Sequence, residues 1–400
     1  MTGVVGALVE AWDELRVHKL RVLLSLVGVA AAVTAITGVT AAVDMLGQAM
    51  REQTERYNGR DTTLSVSAYP MTGSGDAAAA SAAMLDIVDR YAVTYASRTS
   101  WGQVAAELPG GTQVLNGQVV DPDYGTIHRI STLQGRYFVD GDAERLAPTL
   151  VVNEAFLAAL GAEDLSGHPT VVLQGQQPVT AEVVGVVANQ YTDEPPAYTL
   201  LIDQVDRWGL AVDPWGAGAQ PPGLELWVPP GDVEALRERV TADLQAALPG
   251  WQVDAYTPQG DPAVLDTASR WVVLAVSGFA LLLGGLGLLN IALVTVRQRI
   301  REIGIRRSFG ASSGRVFFGV LLESVVATLV AGAVGVALAV VALDQLPVDR
   351  FLGTTLQDTP PFPLSAALTG LACAAGVGAL AGLLPAVWAV RVKVIDAIRY

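Results

Sequence analysis

Cysteine, lysine and histidine are almost missing from this 400-residue chain, and charge of any kind is sparse. The single cysteine, Cys373, lies in an apolar run, so no disulfide can form within the chain and any exposed domain must be held by its own core. Only Lys19 and Lys393 are lysines. A phosphate-cradling loop needs GxxxxGK followed by Ser or Thr, but Lys19 follows His18 and Lys393 follows Val392, so the sequence holds no nucleotide cradle of that kind. His18, His128 and His168 fall in three separate regions with no ligand spacing, which indicates no metal site; ordinary surface or core histidines account for them. Charged residues are only 16% of the chain, too few for an ordinary water-soluble protein of this size.

Apolar sequence is what the chain has in excess: 51% of residues are hydrophobic and the mean hydropathy is positive. A helix crossing a hydrocarbon core of about 30 Å needs about 20 apolar residues. Four runs meet that requirement: Val22 to Val43, Trp271 to Val296, Val316 to Leu343 and Leu364 to Val390. Three of them carry no charge, and the third carries only Glu323. Buried helices of a soluble protein are the competing explanation, and they seldom run past about 14 uncharged residues. Arg16, Lys19 and Arg21 before the first run resemble the start of a signal peptide, but the run is longer than a signal core and continues without an obvious cleavage site into a polar helical segment, Asp44 to Arg56.

Basic residues next to spans are retained on the cytoplasmic side, which sets the expected orientation. The N-terminal stretch to Arg21, the segment Arg297 to Arg315 and the tail from Arg391 together hold 12 basic against 5 acidic residues. Asp44 to Arg270 holds 12 arginines against 30 acidic residues, and Asp344 to Pro363 holds three aspartates and one arginine. The expected division is therefore a cytoplasmic amphipathic N-terminal helix (1–21), a span (22–43), an extracytoplasmic domain with stalk helices at both ends (44–270), a span (271–296), a cytoplasmic coupling segment (297–315), a span (316–343), an extracytoplasmic connector (344–363), a span (364–390) and a cytoplasmic tail (391–400). This is an α-helical membrane protein with four transmembrane helices and a mixed α/β extracytoplasmic domain inserted between the first and second. Both termini are expected in the cytoplasm, and the protein in the cytoplasmic membrane among its lipids.

In the inserted domain, β-prone runs at Thr149 to Val152, Pro169 to Leu173 and Val179 to Val187 alternate with helical patterns at Ala78 to Ala92, Asn153 to Leu160 and Gly231 to Leu248. Two subdomains are conceivable, with the low-complexity stretch Gly73 to Ala83 and the Pro/Gly-rich stretch Asp213 to Gly223 as candidate loops or junctions. Stalks are expected at Asp44 to Arg56 and Thr257 to Arg270.

Arg297 to Ser312, RQRIREIGIRRSFGAS, alternates arginines with Ile300, Ile303, Ile305 and Phe309 at near-helical spacing, the pattern of an amphipathic helix at the inner membrane face. Periodicity leaves two readings open, attachment to lipid headgroups or docking of a partner. The string closely resembles the coupling segment of the MacB/FtsX-like ABC-transporter permease family, in which REIGIxRxxGAS precedes the third helix. Arg301, Glu302, Ile303, Gly304, Ile305, Arg306, Gly310, Ala311 and Ser312 match in order. Glu10 to Val33, Leu321 to Val340 and Gly382 to Tyr400 resemble other parts of the family, with Val394 standing where the family usually has proline, and LVVNEAFLAALGAEDLSGHPTVVL with AEVVGVVANQ resembles its exported domain. Tyr57 to Thr126 matches least.

The resemblance implies a permease subunit that is not itself an enzyme. Arg299, Arg301, Glu302, Ile303, Gly304, Ile305, Arg306, Phe309, Gly310, Ala311 and Ser312 would dock an ABC ATPase subunit, which would hold ATP and Mg; no cofactor is expected in this chain. A homodimer and an extracytoplasmic protein partner are further expectations, with either export of a lipophilic compound, peptide or lipoprotein or the mechanical activation of an envelope partner as output. Glu323, an intramembrane carboxylate, is either functional or close enough to the inner surface to reach water, with Arg297 or Asn290 as candidate partners. Gly378, Gly382 and Pro385 permit close packing and a kink in the fourth span.

Gly310 to Gly314 spells GxSxG, but a nucleophile elbow needs a preceding strand and a histidine, and here an arginine-rich segment precedes it. The acidic excess outside argues against nucleic acid. From another class, a membrane-anchored scaffold that displays its domain without ATP is the alternative reading, although display needs only one span.

Overall fold

The computed structural model describes residues 19–71, 75–210, 221–258, 262–298, 305, 308, 312–345 and 360–391. These form two compact units, a helical one and an inserted α/β one. In chain order the first helix, α1 (Lys19–Asn58), leads to β1 (Thr63–Pro70), α2 (Ala77–Tyr91), β2 (Tyr95–Leu108), β3 (Gly111–Val120), α3 (Tyr124–Ile127), β4 (Thr132–Gly135), β5 (Thr149–Asn153), α4 (Glu154–Ala159), β6 (Thr170–Gln174), β7 (Val179–Val187), β8 (Ala197–Leu201), α5 (Ile202–Trp208), β9 (Gly223–Trp227), α6 (Val233–Ala247) and β10 (Trp251–Tyr256). The chain then continues as α7 (Pro262–Gln298), α8 (Ser313–Asp344) and α9 (Leu364–Arg391).

The inserted unit is a βαββαβ motif split by a second structure. Strands β10-β1-β9-β2 lie in that order and pair antiparallel. Alternation in β1 sends Leu64, Val66 and Ala68 to the core while Ser65 and Ser67 take the other face. Met84 and Ile87 of α2, Val240 and Leu244 of α6 and Leu224 and Leu226 of β9 close that core. Each fully buried leucine contributes about 2 kcal/mol by area removed from water.

Between β2 and β9 the chain builds a second core around Val104, Leu115, Leu150, Phe156, Leu173 and Leu200. The strand β2 belongs to both cores. Its first residues, Tyr95 to Thr99, pair with β9, and Ala105 to Glu107 pair with β6. The domain therefore divides along a shared strand and not at a flexible linker. Of the two stretches read as junctions, Gly73 to Ala83 is corrected from Ala77 onward: the Asp76 carboxylate accepts from Ala78 N (3.0 Å) and Ala79 N (3.1 Å), capping α2, so the alanines are helical and bury Ala80. The other, Asp213 to Gly223, lies mostly outside the described residues.

In the helical unit, α1, α7, α8 and α9 are each long and apolar enough to cross a membrane. Small residues let their backbones approach, as is needed where lipid removes the hydrophobic drive for helices to associate. A Cβ at Gly335 of α8 would stand 2.6 Å from Ala30 O on α1, and one at Gly332 would stand 2.7 Å from Ala374 Cβ on α9. Thr34 Oγ1 lies 3.0 Å from Gly335 O, adding a polar tie between α1 and α8. The second expected stalk begins later than its sequence suggested: Thr257 is not helical, and α7 begins at Pro262, where proline's missing N–H costs nothing.

Candidate functional site

Most of the coupling segment lies outside the described residues: Arg299, Arg301, Glu302, Ile303, Gly304, Arg306, Phe309, Gly310 and Ala311. Ile305 and Ser308 are described, and both are helical and exposed. The Ser308 hydroxyl donates to Ile305 O at 2.7 Å. Ser312 has a definite local role, since its side chain accepts from Arg315 N and caps α8. That cap fixes where the arginine-rich segment ends and the next span starts.

Glu323 is half-buried on α8, eight residues from Arg315. The side chains of Asn290 and Arg297 lie outside the described residues. Gly378 and Gly382 are buried on α9. A Cβ at Gly378 would overlap Thr328 Oγ1, and one at Gly382 would stand 2.8 Å from Ser324 Cβ, so both glycines permit the α8–α9 approach. Pro385 is also buried, within a helix that continues to Arg391.

The inserted unit holds the end of α1 by a set of contacts that sequence reading did not find. Only four residues separate Asn58 from β1, and Gly59 takes φ +80°, the left-handed region that ends helices. Arg60 N donates to Ile127 O and Arg60 Nε to Thr126 O, both at 2.8 Å. Its guanidinium lies 5.0 Å from the centroid of the Trp227 ring, whose indole N–H donates to Asp61 O at 3.1 Å. Thr62 Oγ1 donates to Val228 O. His128 completes the set, with Nδ1 at 2.8 Å from Arg56 O and Nε2 at 2.6 Å from Glu225 Oε2. No local signal could have revealed it, because His128 and Glu225 are 97 residues apart.

Further into the inserted unit, Arg98 joins the two halves of the domain. Asp121 accepts from Arg98 N (2.7 Å), Nε (2.9 Å) and Nη2 (2.7 Å), and Asp203 accepts from Nη2 at 2.8 Å. Asp142 is 2% exposed and faces Arg136 through two bonds of 2.5 and 2.7 Å. Burial pushes its carboxyl up, but the Arg136 fork, the Val139 N–H and Arg145 outweigh that and hold it below the usual carboxylate range. Among the described residues no group of three His, Cys, Asp or Glu could hold a metal ion. The charged clusters are tied internally and serve as structural joints.

Two family models match the chain: the MacB-like periplasmic core domain over residues 22–243 and the C-terminal part of the FtsX-like permeases over 274–393. Curated relatives include a macrolide export ATP-binding/permease protein MacB 1/2 of Paracoccus denitrificans, 26% identical over 99% of this chain and 59% of the relative. A macrolide export ATP-binding/permease protein MacB 2 of Aeromonas hydrophila is 27% identical over 95% of this chain and 58% of that protein. The chain thus spans about three fifths of the length of these relatives. Among solved structures, the extracellular domain of the noncanonic ABC-type transporter YknZ from Gram-positive bacteria matches 48% of this chain and 99% of its own, at 13% identity and TM-score 0.37. The periplasmic region of MacB from Actinobacillus actinomycetemcomitans matches 54% and 94%, at 13% identity and TM-score 0.36.

Proposed function

Because the chain belongs to the MacB/FtsX-like permease family, we propose that it is the non-catalytic permease component of an ABC transporter, which converts nucleotide-driven movement of a partner ATPase into movement of its exported domain. The observation that carries this reading is helix length. At 1.5 Å per residue, the 40 residues of α1 and 37 of α7 extend about 60 and 55 Å, against about 30 Å of hydrocarbon core. These two helices flank the inserted domain in sequence, and by the expected span bounds residues 44–58 of α1 and 262–270 of α7 continue outward as helix, about 22 and about 13 Å with which to carry displacement to that domain.

Arg297 to Ser312 would receive the push. Its arginines and Glu302 offer charge-assisted hydrogen bonds to a protein surface, and Ile303, Ile305 and Phe309 offer apolar anchors. ATP and Mg would be held by the partner, in keeping with the lack of a phosphate-cradling lysine here. The working assembly would be two copies of this chain with two ATPase subunits, both termini in the cytoplasm. Exposed Trp271, Leu274, Phe279 and Leu282 of α7 suit lipid or a second copy. Export of an apolar compound, peptide or lipoprotein and activation of an envelope partner are both compatible outputs.

The test is purification of the tagged protein in mild detergent from its native host, followed by mass spectrometry. Recovery of a P-loop ATPase near one-to-one, lost on Glu302→Ala with Arg306→Ala, is the expected result. If gentle crosslinking recovers no ATPase, the docking reading fails and an ATP-independent display protein takes its place.

A further inference from the structure

A transmission helix moves a domain only if its end is held to that domain by more than one flexible bond. The last four carbonyls of α1 have no intrahelical donor, and one of them, Arg56 O, accepts from His128. A carbonyl can only accept, so the proton lies on Nδ1. Glu225 Oε2, 2.6 Å from Nε2, is an acceptor too, so a second proton lies between these two atoms, in a place where the imidazole is 1% exposed and the carboxyl group 15%. The ring face stacks on Tyr124 with centroids 3.9 Å apart and planes 21° from parallel. His128 N also donates to Tyr124 O at 2.9 Å, so backbone, face and both edges of this residue are fixed.

Glu225 is placed so that this contact reaches the whole sheet. It lies on β9, the strand hydrogen-bonded to both β1 and β2, opposite Ser65 on one side and Ser97 on the other. Asn58 Nδ2 lies 3.4 Å from Pro258 O, which ties the same helix end to the segment that precedes α7. The exposed pair Glu55 and Arg129, at 3.2 Å, adds little in water.

We propose that His128 is a positioning residue that locks the last turn of α1 to β9 through Arg56 O and Glu225, so that displacement of α1 reaches the sheet without slack. This rests on the transmission reading above and adds to it the residue that makes the joint. Desolvation makes the lock stronger than an exposed ion pair, because a buried donor or acceptor that loses its partner cannot turn to water.

The test uses the full-length protein in nanodiscs, in a Cys373→Ser background, with spin labels at Arg51→Cys on α1 and Glu238→Cys on α6, both exposed positions. Pulsed electron spin resonance reads the distribution of distances between them. The parent should give one narrow distance and His128→Ala should lose it. His128→Gln, whose amide can donate to both acceptors, should restore it, and Arg129→Ala should leave it unchanged. Hydrogen exchange protection in β5 and β7 shows that each variant is folded, and Glu225→Leu, which removes the partner of Nε2, serves as the second variant should His128→Ala not fold. A narrow distance in folded His128→Ala or Glu225→Leu, or equal broadening in Arg129→Ala, overturns the proposal. The readout needs no ATPase, so failure to recover a docking partner and failure of this lock are separate results.

Discussion

Gly378 of α9 lies so close to Thr328 of α8 that a side chain cannot enter between the two helices: a Cβ there would overlap Thr328 Oγ1 and stand 3.0 Å from Val325 Cα. Gly376, two residues earlier on the same helix, has nothing within 4 Å of its own Cβ position. The two glycines share a local sequence and differ only in what they face.

Replacing Gly378 with alanine is therefore expected to destabilise the helical unit by about 1–3 kcal/mol, the usual cost of overpacking a close contact. Gly376→Ala should be neutral or slightly stabilising, because alanine is the better helix former by about 1 kcal/mol. Thermal unfolding in detergent, followed by loss of monodisperse protein, compares the pair directly. Equal effects would mean that the α8–α9 contact does not limit stability.

The contrast also shows which features the sequence makes legible. Four long apolar runs separate by length alone, and β7 is found at Val179 to Val187, the bounds its alternation indicates. Helix α6 likewise lies within the pattern from Gly231 to Leu248. The pairing of β1 with β9 is not legible, because Leu64 and Leu226 lie in strands about 160 residues apart, with a second core inserted between them. Serines in β1 also weaken its apolar signal, since Ser65 and Ser67 take the face away from Leu64 and Val66. Ala77 to Ala83 carries two readings in sequence, a low-complexity loop and the start of the helical pattern from Ala78 to Ala92, and the Asp76 cap decides for the helix. His128 stays opaque for the same reason as the strand pairing: its partner is fixed only by the fold.

Arg98 gives a second prediction, because its two partners differ in exposure. Asp121 is 17% exposed and Asp203 53%. Arg98→Met should cost about 3–5 kcal/mol by leaving a desolvated carboxylate without its cation. Asp203→Asn should cost less than about 1 kcal/mol, as for an ordinary surface pair. Hydrogen exchange should speed up across β2 and the end of β3 in the first variant only. Comparable losses in both would place the joint at α5 instead.

Asn153 is the third test, since one side chain satisfies three backbone groups. Its Oδ1 accepts from Phe156 N at 2.9 Å and Ala197 N at 3.0 Å, and its Nδ2 donates to Pro195 O at 2.9 Å, at 4% exposure. Asn153→Ala should lower stability by about 2 kcal/mol, at the upper end for a lost cap because the orphaned groups are shielded from water. Asn153→Ser keeps an oxygen that can cap Phe156 N and loses the contacts to Ala197 and Pro195, so it should fall between the parent and the alanine variant. Thermal unfolding of the three proteins gives the order, and a reversed order would show that the cap is not what orders α4.

Acid sensitivity follows from Asp142. Although burial works against its charge, Arg136, Val139 N and Arg145 hold its folded pKa below the ordinary 3.8. The folded state therefore binds this proton less readily than the unfolded one, and the stability linked to the group is complete above the ordinary value and is lost as pH falls through the folded one. Melting temperature should accordingly decline on acidification below about pH 4 more steeply in the parent than in Asp142→Asn. At neutral pH the variant should already be weaker by about 3 kcal/mol, the low end for a broken buried pair because Arg136 retains access to solvent at 44% exposure. Tryptophan fluorescence melts from about pH 7 down to about pH 2, a range that crosses the ordinary carboxylate values and continues below them, measure both effects. Parallel acid limbs in the two proteins would assign the sensitivity to other carboxylates among the acidic residues of the exported domain.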